Sequence, residues 1–89
     1  MYTAQVVEFL GTTLLLSAIS FTGSPSLIIA AFAIAVGLGA KVSGGHFNPA
    51  VTAWALVSGK VSQNKAIGYM IAQFGAALFV YFLGTVVHV

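Results

Sequence analysis

The sequence predicts an all-α membrane protein with three transmembrane helices and one re-entrant half-helix. Three observations carry that prediction. Of the 89 residues, 60 % are hydrophobic and 4 % are charged, a composition of integral membrane proteins rather than of soluble cores. The apolar residues fall into four runs, three of about the length of a membrane span and one about half that length. The short run opens within Ser43-Gly44-Gly45-His46-Phe47-Asn48-Pro49-Ala50-Val51-Thr52, a Gly-rich approach that ends in a helix start.

The first run covers residues 4–21. Thr22-Gly23-Ser24-Pro25-Ser26 then reads as a tight polar turn, punctuated by Gly and Pro. Ser26 is the expected cap of the second run, residues 27–40, which ends near Lys41 and, taken through Val42, makes a span over residues 27–42. That run is somewhat short for a crossing, so it is expected to reach through Val42 or to tilt. The half-helix is expected over residues 49–58. At 1.5 Å per residue it would be about 15 Å long, half the hydrocarbon thickness. It is too apolar for water and too short to span, and a re-entrant segment meets both limits if other protein covers its non-helical end. Asn48 suits an N-cap and Pro49 the first helical position. Ser58-Gly59-Lys60-Val61-Ser62-Gln63-Asn64 is a polar break, and the third span is expected over residues 65–87.

Charge and cysteine content exclude several classes. The single acid is Glu8 and the bases are Lys41, Lys60 and Lys65, a net charge of +2 too small and dispersed for nucleic-acid binding. There is no cysteine, hence no disulfide framework or thiolate site. His46, His88 and the one carboxylate are widely separated, so no metal site is expected, and nothing calls for a cofactor. No nucleophile–base pair is visible and Glu8 has no second acid beside it, which argues against an enzyme. The N-terminus lacks a basic region and has an acid early in its apolar run, so a cleaved signal peptide is not expected. Antiparallel spans two and three put all three lysines on one side. The positive-inside rule makes that side cytoplasmic, with the N-terminus there too. Small residues recur at helical spacing in Ala31, Ala35 and Gly39 and in Gly68, Ala72 and Ala76, which suits close helix packing in lipid.

The run from Ser43 to Thr52 resembles the aquaporin (major intrinsic protein) family and its NPA box at Asn48, Pro49 and Ala50. Glu8-Phe9-Leu10-Gly11-Thr12 is similar to the E-x-x-G-T of the family's first span, and Gly68-Tyr69-Met70-Ile71-Ala72-Gln73 to the G-Y-x-x-A-Q of its third. The three segments stand in family order and spacing over nearly the whole chain. The resemblance is to the first repeat only, half of an aquaporin-like fold. Val51 follows the box where the second repeat has the filter arginine, and the chain contains neither that arginine nor the filter histidine.

The resemblance implies that Asn48 donates a hydrogen bond from its amide to permeating water at mid-pore. An N-cap Asn turns its carbonyl to the helix amides and leaves its NH2 free, and the half-helix N-terminus brings a partial positive charge that disfavours cations. The carbonyls of Gly44, Gly45 and His46 would line the pore, since an entry strand without regular structure must face water or protein. Glu8, costly within a span, would accept hydrogen bonds from the loop, with His46 and Gln73 in supporting roles. Counting back from the box, Ile28 falls at a filter position of first repeats, with Phe32 one turn further as a substitute. The implied function is half of a pore for water or a small neutral solute, completed by a second inverted repeat on a separate chain or an antiparallel copy, with room for a higher oligomer in the bilayer. The alternative is a non-transporting small membrane protein or truncated remnant.

Overall fold

The computed structural model describes residues 2–87 and contains four helices in that range: α1 (Thr3–Phe21), α2 (Pro25–Ser43), α3 (Pro49–Val57) and α4 (Gln63–Val86). His88 lies outside the described residues. At 1.5 Å per residue α1 and α2 are about 28 Å long and α4 about 36 Å, against a hydrocarbon core of about 30 Å. All three are long and apolar enough to cross a membrane. The nine residues of α3 reach about 14 Å. The fold is therefore the all-α membrane architecture that the apolar runs predict.

Each boundary has a local cause. Gly23 takes a left-handed φ of +63° at the end of α1. The second helix starts two residues earlier than expected, and its cap is Ser24 rather than Ser26. Ser24 is extended (φ −81°, ψ 122°), as a residue before proline prefers, and its hydroxyl accepts from Leu27 N. Pro25 then occupies the first helical position, where its missing N–H leaves nothing unpaired. The helix runs through Ser43, which supplies the length that residues 27–42 lacked, and stops at Gly44 in the left-handed region. The end of α3 is a Schellman turn: Gly59 N donates to Leu56 O at 3.1 Å and Lys60 N to Ala55 O at 2.8 Å. Ser62 caps α4 by accepting from Lys65 N at 3.2 Å, so this helix also begins two residues before the expected 65.

α1 is the central element. It packs against α2 on one side and α4 on the other, and α3 packs on α4. The buried line of α2 is Ala31, Ala35, Gly39 and Ser43, four residues apart, which lets two backbones approach closely. The buried line of α4 is Ala66, Tyr69, Gln73, Ala76 and Val80. Of the small residues expected to pack there, Ala76 is on this line, while Gly68 and Ala72 flank it and Gly68 lies under Gln5 of α1.

The distribution of polarity is inverted relative to a water-soluble bundle. Glu8, Thr12, Ser43, Thr52 and Gln73 are buried, while Leu10, Leu38, Ile71, Phe74, Leu78 and Phe82 are each more than half exposed. Apolar surface of this extent suits lipid or further protein, not water. The buried polar groups bring the four helices to one point.

Candidate functional site

The site is built around Glu8, which is fully buried on α1. Its Oε2 accepts from Ser43 Oγ at 2.7 Å and from His46 N at 3.0 Å. Its Oε1 accepts from Phe47 N at 2.7 Å and from Gln73 Nε2 at 2.9 Å. Every one of these donors is neutral. A carboxylate has about four acceptor positions, and here all are used, which is how such a group is held out of water without a cation. Two of the donors are consecutive backbone amides of the segment between α2 and α3. That segment has no helix of its own to satisfy them, so Glu8 takes the place of a helix carbonyl.

The network continues through α3 and α4. Gln73 Nε2 also donates to Thr52 Oγ1 at 2.8 Å, and Thr52 Oγ1 lies 2.8 Å from His46 Nδ1. The His46 ring stands edge-on to Tyr69, centroids 5.0 Å apart, and Tyr69 OH donates to Ser43 O at 2.6 Å. Ser43 Oγ accepts in turn from Gly45 N. The entry strand is thus fixed from α1, α2, α3 and α4 together. Gly44 and Gly45 have φ of +90° and +65°, which glycine adopts without steric penalty. Phe47 has φ +51°, a conformation that a bulky L-residue adopts only at a cost on the order of 1 kcal/mol or more.

The outer side of this scaffold carries the residues singled out from the sequence. Asn48 is extended (φ −160°, ψ 125°) and caps α3, its Oδ1 accepting from Ala50 N at 2.8 Å. Its side chain is exposed, and its NH2 makes no hydrogen bond among the described residues. Pro49 occupies the first turn of α3 and is half-buried, and Ala50 is exposed. The carbonyls of Gly44, Gly45 and His46 accept no hydrogen bond among the described residues, so three acceptors and one amide donor lie along five consecutive positions. Ile28 is half-buried and Phe32 is 45 % exposed, both on α2, and neither makes a hydrogen bond to this group among the described residues. No cluster of three metal-ligating side chains occurs among the described residues.

Ser43, Phe47, Thr52 and Tyr69 belong to the network and were not singled out from the sequence. For Ser43, Thr52 and Tyr69 a signal exists: each is a hydroxyl in an otherwise apolar helix, where a buried partner is the default expectation. Phe47 gives no such signal, because an aromatic residue in an apolar chain reads as ordinary core.

The comparisons with known proteins agree with this architecture. The family model for major intrinsic proteins matches residues 1–88. The chain is 38 % identical over 86 residues to glycerol uptake facilitator protein-like 6 of Lactiplantibacillus plantarum, covering 82 % of this chain and 38 % of that protein. It is 38 % identical over 89 residues to aquaporin TIP1-2 of Zea mays (79 % of this chain, 35 % of the relative). It is 35 % identical to aquaporin TIP1-1 of Arabidopsis thaliana over 89 residues (79 % and 36 %). No solved structure matches. The chain belongs to the major intrinsic protein family and is an integral membrane protein. It spans little more than a third of the length of these relatives.

Proposed function

We propose that the chain is one half of a membrane channel for water or small uncharged solutes, and that a second, inverted repeat completes the pore. The observation that carries this reading is the exposed face at the start of α3. The amide NH2 of Asn48 and the carbonyls of Gly44, Gly45 and His46, none of them hydrogen-bonded among the described residues, fall within five consecutive positions at the N-terminus of a helix too short to span. A row of acceptors followed by a donor can hand a single file of water across a constriction. The positive end of the α3 dipole disfavours cations at the same point. The buried network behind it supplies the rigidity that fixed donors and acceptors require.

Three spans and one half-helix leave an open flank, and a second half-helix from the opposite side would close it. The exposed apolar residues along α1, α2 and α4 support such a closure within a bilayer. The second repeat could lie on a separate chain, on an antiparallel copy, or elsewhere on a longer polypeptide. The lysines at 41, 60 and 65 support a cytoplasmic N-terminus. Water and small polyols are the solute class this face suits, which agrees with the names of the relatives.

Osmotic swelling of liposomes tests the reading. The chain is reconstituted alone, then with the part of the Zea mays relative that it does not cover. Water flux above the lipid background only in the second preparation is expected. Full flux from the chain alone, inserted in a single orientation, contradicts the need for a second repeat. Background flux in both favours a non-transporting protein.

A further inference from the structure

We propose that Phe47 is the positioning residue that sets where Asn48 stands, by keying its ring into a notch formed by Gly11 of α1 and Gly39 of α2. The keying is read from packing alone. Its consequence for permeation rests on the channel reading.

Phe47 is 2 % exposed, although Asn48 beside it is exposed and His46 is half-buried. Its side chain therefore points inward at the position where the chain's next side chain points out. A Cβ added at Gly11 would stand 2.1 Å from Phe47 Cε1 and 2.6 Å from Cδ1 and Cζ. A Cβ at Gly39 would stand 2.8 Å from Cζ. The ring thus fills the space that any side chain at either glycine would need. The notch is made by two different helices and is filled by a third segment, so it fixes the ring relative to both.

The same residue is held a second way. Phe47 N donates to Glu8 Oε1 at 2.7 Å, and Glu8 lies three residues before Gly11 on α1. Neighbours about one turn apart on a helix share a face. The amide and the ring of Phe47 are therefore gripped by adjacent turns of one helix face. A left-handed φ of +51° on a phenylalanine persists only where the surroundings over-determine it, and these two contacts do so. Asn48 is the next residue, so its place follows from that of Phe47. Glycine at 11 and 39 is required by a ring from outside the helices, not only by the packing of α1 on α2.

The chain contains no cysteine, so Ala50→Cys provides a single reporter two residues beyond Asn48. In that background Gly11→Ala, Phe47→Leu, the double variant and Gly75→Ala are compared. Leucine lacks the ε and ζ carbons that an alanine at 11 would strike, and its δ carbons, no longer held in a ring, can turn away from the 2.6 Å contact that Phe47 Cδ1 would make. Gly75 is a control, since a Cβ there meets only Phe9, at 4.0 Å. Stability is read by unfolding in mixed micelles. Position is read in liposomes as the rate at which a membrane-impermeant thiol reagent modifies the cysteine. Gly11→Ala should lower the folded-to-unfolded ratio about tenfold, and in the Phe47→Leu background by under about twofold, a coupling of the size contacting residues show. Gly75→Ala should not lower it, because alanine favours a helix over glycine. Folded Phe47→Leu should change the modification rate by about threefold or more, which a purely structural filler would not do, and Gly75→Ala should leave it unchanged. An equal penalty for Gly11→Ala in both backgrounds overturns the proposal, as does a wild-type modification rate in folded Phe47→Leu. If Gly11→Ala does not accumulate, Gly11→Ala with Phe47→Ala decides: recovery of folded protein supports the key and continued loss overturns it. None of these readings involves permeation, so a failure of the channel assignment leaves this result standing, and the reverse.

Discussion

Glu8→Gln is the substitution whose effect follows most directly from the network. The carboxylate places one backbone N–H on each oxygen, His46 N on Oε2 and Phe47 N on Oε1. A glutamine amide has one acceptor oxygen and one donor NH2. With its NH2 at the Oε2 position, Ser43 can turn its hydroxyl toward Gly39 O, 3.4 Å away, but His46 N loses its partner. With its NH2 at the Oε1 position, Gln73 can present its unpaired Oε1, but Phe47 N loses its partner. Either orientation strands one backbone donor and weakens the remaining bonds from charge-assisted to neutral. A stranded buried donor costs about 1–3 kcal/mol, and bonds to a charge contribute about 1 kcal/mol more than neutral ones. Removing the charge relieves its desolvation, which offsets part of this. The expected net loss is about 2 kcal/mol, roughly a thirtyfold fall in the folded-to-unfolded ratio. The assay is unfolding of the purified chain by SDS titrated into mild-detergent micelles, followed through Trp54, the one tryptophan. Thr3→Ala at the exposed start of α1 is the reference. A Glu8→Gln variant within about 0.5 kcal/mol of Thr3→Ala would refute the claim that these bonds hold the loop.

Tyr69→Phe removes the 2.6 Å bond to Ser43 O and should lower stability by about 1 kcal/mol in the same titration. Ser24→Ala should weaken α2 by about 1 kcal/mol through loss of its cap, whereas Ser26→Ala, inside the first turn, should stay within about 0.5 kcal/mol, both read by the same unfolding curve. Single cysteines at positions 48 to 58 should be modified from the side on which Lys60 lies or from within an assembled pore. Modification of residues near position 48 only from the side opposite Lys60 would mean that the segment crosses the membrane.

Much of the fold is legible in local sequence. Asn48-Pro49 announces the start of α3 because both residues act within one turn of it, and the apolar runs announce three helices by length. Ser24 is equally legible, since Pro25 takes the first helical position and leaves the residue before it as the cap; Ser26, on the other side of Pro25, competes for the role. The network around Glu8 is different. Its partners lie 35 to 65 positions away, and no periodicity within a helix indicates which distant amides a buried carboxylate meets. Family resemblance named Glu8, His46 and Gln73 together, whereas Ser43, Thr52 and Tyr69 came only with the three-dimensional structure. Phe47 was hidden for a further reason: its partners are glycines, and a glycine shows only that space is needed, not which side chain fills it.

In the proposed channel the amide of Asn48, at the positive end of α3, faces the permeation path. The most direct measurement is paired water flux and cation conductance in the same vesicles, for wild type and Asn48→Asp, each reconstituted with the part of the Zea mays relative that this chain does not cover. Aspartate keeps an oxygen to cap Ala50 N but replaces the neutral donor with a carboxylate. Wild type should pass water without cation conductance. Asn48→Asp, inserted to the same level, should conduct cations and show reduced or less selective water flux. Unchanged water flux with no cation conductance in Asn48→Asp would contradict the account.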